Sequence, residues 1–125
     1  MAKTKKSKIL IAEDEKSYVR PLSLKLKNKG YEVETAGDGK EALSLLKKNK
    51  YNLLLLDLIM PGMDGFELMK EIKDKKLKVK IIVLSNLSQE TDKDKASKLG
   101  ASDFISKSNT SLVDVLKIVE KNLGS

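Results

Sequence analysis

Apolar positions along this chain fall into two kinds of pattern. Lys8-Ile9-Leu10-Ile11-Ala12, Leu53-Leu54-Leu55-Leu56 and Lys80-Ile81-Ile82-Val83-Leu84-Ser85 are short and continuous. Runs of this length read as strands buried on both faces, as in the middle of a parallel sheet. Elsewhere apolar residues recur at helical spacing: Val19, Leu22 and Leu26; Leu43 and Leu46; Phe66, Met69 and Ile72; Leu112, Val115, Leu116, Val119 and Leu123. Each set marks a helix with one buried face. Glu32-Val33-Glu34-Thr35-Ala36 alternates polar and apolar and suits an edge strand, and Asp103-Phe104-Ile105-Ser106-Lys107 is a short last strand.

Local punctuation sets the boundaries. The first helix should run to about residue 29, where Gly30 stops it. Pro21 lacks an N–H and should force a late start or a bend. Asp38 suits the N-cap of a helix from 39 to about 49. The third helix is expected from about 66 to 75. Segment 88–99 is polar nearly all round, with Ala96 and Leu99 its main apolar positions, and is predicted to be the weakest, most mobile helix. Gly100 ends it. Ser111 opens the last helix, with Asp114 as a capping-box partner. Five strands alternating with five helices make an α/β fold, a doubly wound (βα)5 flavodoxin-like three-layer sandwich. The three apolar strands take the centre of a parallel sheet of order 2-1-3-4-5, and the site belongs where strand order reverses. One domain over 1–125 is expected, with residues 1–7 a basic, flexible arm.

Composition narrows the chemistry. There is no histidine, which excludes histidine acid/base catalysis, and no cysteine, which excludes disulfides and thiolate chemistry. No apolar run approaches the roughly 18 residues of a membrane helix, and the basic start leads into too short a strand for a signal peptide. A cytoplasmic protein is the expectation. The net charge is +7, but of 25 basic residues only Arg20 is arginine and the lysines are spread over most helices. Solvated faces account for that spread, so direct nucleic-acid binding is disfavoured.

The strand ends carry the candidate chemistry. The first strand delivers Glu13 and Asp14, the third Asp57, the fourth Ser85 and the fifth Lys107. All of them belong to the same edge of one sheet. Three carboxylates in one cleft repel each other and call for a cation, and an all-oxygen set suits Mg²⁺, which keeps waters and accepts phosphate oxygens as well. A hydroxyl and an ammonium beside such a metal suit a phosphoryl group. The implied chemistry is attack by Asp57 on phosphorus to give an aspartyl-phosphate.

With these residues in place, the sequence resembles the receiver domain of two-component response regulators, the CheY-like family, over essentially its whole length. The resemblance implies that Asp57 is the phosphoacceptor and that Asp14, Glu13 (through a water), Asp57 and the backbone carbonyl of Ile59 hold Mg²⁺. It implies that Ser85 and Lys107 assist the phosphoryl group, and that Ser85 and Phe104 form the switch. The Met60-Pro61-Gly62-Met63-Asp64-Gly65 loop is close to the family pattern. The expected partners are a histidine kinase or phosphotransfer protein and a downstream protein, with no membrane. The expected state is a monomer or a phosphorylation-dependent dimer. No DNA-binding or catalytic segment follows Ser125 in this sequence. Output is therefore expected through another protein, across the face made by residues 88–125, unless the chain is one domain cut from a longer one. Two positions depart from the pattern. Ser108 stands where the family often has a proline with a cis peptide, a bond that costs a non-proline residue roughly 3 kcal/mol. Asn86 stands where it usually has Ala or Gly.

The competing reading is an enzyme, a Mg²⁺-dependent phosphohydrolase of the haloacid-dehalogenase kind. It would need a second Asp two residues after the nucleophile, and that position is Ile59. A flavodoxin is disfavoured by the acidic first loop, where a phosphate-binding loop would be rich in Ser, Thr and Gly. The chain is therefore expected to signal rather than turn over a substrate.

Overall fold

The computed structural model describes residues 7–86 and 90–124. Its elements are β1 (Lys8–Ala12), α1 (Lys16–Asn28), β2 (Glu32–Ala36), α2 (Gly39–Lys48), β3 (Leu53–Leu56), α3 (Gly65–Asp74), β4 (Lys80–Ser85), α4 (Glu90–Lys98), β5 (Ala101–Ser106) and α5 (Leu112–Leu123). The five strands form one parallel sheet of order β2-β1-β3-β4-β5. The polar β2 and β5 lie at its edges, as expected, although β5 at six residues is longer than expected.

The four consecutive leucines of β3 follow from the pleat, because successive side chains point to opposite faces of a sheet. Leu54 and Leu56 pack with Leu10, Ala12, Ala42, Leu46, Leu68, Met69 and Ile72 on the face covered by α2 and α3. Leu53 and Leu55 pack with Ile9, Ile11, Leu22, Leu26, Val115 and Val119 on the face covered by α1 and α5. A strand buried on both sides has no polar position to spare until it leaves the sheet, and it leaves at Asp57.

The starts of α2, α3 and α5 are tied down by short polar side chains. Asp38 accepts the Glu41 N–H at 2.8 Å, and Asp64 and Glu67 form a reciprocal capping box. Ser111 accepts the Asp114 N–H at 3.2 Å. Helix α3 starts hard against the third strand's exit. A Cβ on Gly65 would lie 2.6 Å from the Leu58 Cα and 2.7 Å from the Asp57 carbonyl oxygen. Glycine is required there by space.

Several boundaries differ from expectation. Helix α1 does not start late: it runs from Lys16 with Pro21 inside it. Ser17, whose carbonyl loses the donor that Pro21 cannot supply, is exposed, so water can take the bond's place. Strand β5 spans Ala101–Ser106, so Lys107 is the first residue beyond it, as Asp57 is beyond β3. In α3 the fully buried pair is Leu68 and Met69, while Phe66 is half-buried. The expected start of α4 at Ser88 lies outside the described residues. Among the described residues, no helix is long and apolar enough to cross a membrane.

Candidate functional site

The carboxyl ends of β1 and β3 are adjacent, with Ala12 opposite Leu56, and the Asp57 N–H donates to the Ala12 carbonyl at 2.9 Å. That pairing brings Glu13, Asp14 and Asp57 together. One carboxylate oxygen from each lies within 4.8 Å of the others. Glu13 and Asp57 are buried, whereas Asp14 is exposed. Together with Glu15, Ile59, Asn86 and Lys107 they line a cleft of about 420 Å³. A larger hollow of about 680 Å³ lies along α1, β2 and α2, but no comparable set of acids converges there.

Lys107 reaches into this cleft from the end of the edge strand β5. Its Nζ donates to Glu13 Oε1 at 2.7 Å and to Glu15 Oε1 at 2.9 Å, and stands 3.9 Å from Asp57 Oδ2. The Tyr18 ring lies beneath it, 4.8 Å from Nζ to the centroid. Burial alone would discourage the ammonium, but its hydrogen bonds to Glu13 and Glu15 win and hold its pKa above the usual lysine value. For the carboxylates an upward shift favours the neutral form instead. Burial raises Glu13 to about 7, against the lowering pull of Lys107 and of the Glu15 N–H, which donates to Oε2 at 2.9 Å. Burial also raises Asp57, against the Ile59 N–H that donates to Oδ1 at 3.2 Å and the charge of Lys107. One cation does not balance this many acids. The donor set is hard, all oxygen and partly open, which fits Mg²⁺.

Ser85 and Phe104 sit differently. Ser85 is fully buried, and the wall of the cleft next to it is Asn86. Phe104 is half-buried against the core beside α4, with the Lys93 ammonium 6.0 Å from its ring centroid. Ile59 lines the cleft, is largely exposed and donates its N–H to Asp57 Oδ1 at 3.2 Å.

Three participants escaped sequence reasoning. Glu15 was visible only as the third acid of a run, and Tyr18 only as a residue one helical turn past Asp14. The hydrogen bond from the Ser108 N–H to Asn86 Oδ1, at 3.0 Å, joins the two positions that depart from the family pattern. No peptide bond among the described residues is cis, so the Lys107–Ser108 bond is trans.

The family model for the response regulator receiver domain matches residues 9–120. The chain belongs to that family. This receiver domain is 40% identical over 100 residues to the alkaline phosphatase synthesis transcriptional regulatory protein PhoP of Bacillus subtilis (strain 168), a match covering 80% of this chain and 42% of that one. It is 45% identical over 103 residues to the probable transcriptional regulator ycf27 of Galdieria sulphuraria, covering 82% and 40%. The chain thus spans about two fifths of the length of these curated relatives. Solved receiver domains superpose closely. The Francisella response regulator 1452 receiver domain gives a TM-score of 0.88 at 30% identity, covering 94% of this chain and 97% of that one. The CheY-like receiver domain protein of Methanospirillum hungatei JF-1 gives 0.89 at 26% identity, covering 96% and 95%.

Proposed function

We propose that this receiver domain is the phosphoacceptor of a two-component relay, taking a phosphoryl group on Asp57 from a phosphohistidine of a histidine kinase or phosphotransfer protein. The observation that carries this reading is the placing of Lys107, whose Nζ lies 3.9 Å from Asp57 Oδ2 within the three-carboxylate cleft. In the reaction, an Asp57 carboxylate oxygen forms a bond to phosphorus. The bond from phosphorus to the donor's ring nitrogen breaks, and the nitrogen keeps the electron pair. Asp57 is nucleophilic only when ionised, and the ammonium nearby favours that form. Lys107 then offers its positive charge to the phosphoryl oxygens, a hydrogen-bonding role it now fulfils toward Glu13 and Glu15.

Asp14, Asp57, Glu13 (through a water) and the Ile59 carbonyl would hold Mg²⁺, which when bound offsets the negative charge of the acids and of the incoming phosphoryl oxygens. Ser85 is the hydroxyl expected to turn toward the phosphoryl group, and its burial means that it must be drawn up to do so. Phe104 then has room to move inward, and the face built from α4, β5 and α5 carries the change to a downstream protein. The chain signals and does not turn over a substrate beyond its own phosphoryl group. Soluble surroundings with access to a kinase suit this role.

Incubation with Mg²⁺ and acetyl phosphate, followed by intact mass measurement, tests the assignment. The wild-type protein should gain one phosphoryl mass and Asp57→Asn none. A gain that persists in Asp57→Asn would place the acceptor elsewhere.

A further inference from the structure

The turn that carries Lys107 is pinned from three sides. The Lys107 N–H donates to the Ser85 carbonyl at 3.0 Å, the last backbone rung between β4 and β5. The Asn109 N–H closes the turn onto the Ser106 carbonyl at 3.3 Å. Between them, the Ser108 N–H crosses to the Asn86 side-chain oxygen at 3.0 Å. Asn86 is exposed and lines the cleft alongside Asp57 and Lys107.

Resting on the phosphoacceptor reading, we propose that Asn86 is a positioning residue for Lys107. Its carboxamide oxygen stands in for the backbone carbonyl that the sheet no longer provides past Ser85, and fixes the turn from which the Lys107 side chain reaches the cleft. The ammonium must exchange its present partners, Glu13 at 2.7 Å and Glu15 at 2.9 Å, for phosphoryl oxygens on Asp57. A side chain can make that short swing accurately only from a fixed backbone. Residue 108 must carry an N–H for the brace to exist, and proline has none. Asn86 and Ser108 are therefore one functional unit, and substitutions in them should not act independently.

The experiment uses the whole chain and two readouts. Amide exchange at Ser108, followed by NMR, should be slow in the wild type and close to unprotected in Asn86→Ala. Phosphorylation of Asp57 by acetyl phosphate at saturating Mg²⁺ should slow by about tenfold in Asn86→Ala and in Ser108→Pro, below the roughly hundredfold that a 1 Å misplacement of reacting groups can cost. The double variant should be no slower than the slower single one. The Mg²⁺ concentration giving half-maximal rate should be unchanged, because neither substitution touches a carboxylate. A merely structural role would lower the melting temperature and leave the rate constant alone. Should Ser108→Pro not fold, Asn86→Ala decides the matter through both readouts. Multiplying effects in the double variant, or an unchanged Ser108 exchange rate in Asn86→Ala, overturn the brace. Wild-type protein that accepts no phosphoryl group overturns the underlying reading as well.

Discussion

At the scale of residues, the site is a contest between burial and charge. Burial holds the Asp57 carboxyl above its usual value even with Lys107 close by. A folded-state value above the unfolded one means that the group's contribution to stability is present at low pH and is lost as pH rises through the folded value. Asp57→Asn keeps an oxygen for the Ile59 N–H and removes the charge. Without metal, it should melt at or above the wild-type temperature, with a gap that widens between acidic and alkaline buffers. Calorimetry across pH checks this, and a variant that melts lower at every pH would make Asp57 a structural residue. Glu13 behaves in the same sense, with its carboxyl pushed to about 7. The metal-free fold should therefore weaken as pH rises from about 4.5 to about 7 and change little from this group above that. A cation requires the deprotonated acids, so its binding to the native state returns stability by mass action, most of all on the alkaline side. The rise in melting temperature on adding Mg²⁺ should be larger at pH 8 than at pH 6. Asp14→Ala should abolish most of it. An equal rise at both pH values would mean that these acids do not bind the ion.

At the scale of elements, the strand ends deliver the chemistry and the turns hold it in place. Gly65 shows how tightly. A methyl group there would overlap the backbone of Asp57 and Leu58, neither of which is the movable end of a side chain. Gly65→Ala should cost about 1–3 kcal/mol of stability, the range for forced overpacking, and should shift the strand exit that presents Asp57. Urea unfolding measures the cost, and a loss near zero would show that α3 can slide aside. Most of this scaffold was legible from local pattern. Four leucines in a row, bounded by Asn52 and followed by turn residues, read as a strand covered on both faces, and an acid directly after them then emerges at the sheet's edge. The helix caps at Asp38, Asp64 and Ser111 are short-range chemistry of the same kind. What stayed hidden depends on contacts between distant segments. The cradle of Lys107 joins Glu15 and Tyr18 to a residue some ninety positions away, and nothing in the spacing of Asn86 and Ser108 announces that one accepts the other's N–H. Pro21 misled for another reason: its missing bond falls on the solvent side of α1, where the loss is tolerated.

At the scale of the whole molecule, the helices differ in how firmly they cover the sheet. Helices α1 and α5 close one face with Val19, Leu22, Leu26, Val115, Leu116 and Val119, all buried. On the other face α4 contributes one fully buried side chain among its described residues, Ala96. Its lysines rest instead on aromatic rings, Lys95 at 4.3 Å from the centroid of Phe66 and Lys93 at 6.0 Å from that of Phe104. Exposed cation–π contacts of this kind contribute about 0.5–1 kcal/mol each, far less than the burial of a leucine. This is the part of the fold in which a modest change of free energy at Asp57 can alter populations. A phosphoryl group moves the equilibrium only by the difference in its interaction with the two states, so the shift is expected to be partial until a partner binds the favoured one. Beryllofluoride with Mg²⁺ supplies a stable phosphoryl mimic for the test. Amide exchange should change around Asp57 and also across residues 90–106, while the strands β1 and β3 and helix α1 remain as protected as before. Exchange that changes only next to Asp57 would show that α4 and β5 do not carry the signal, and would move the output to another face of the domain.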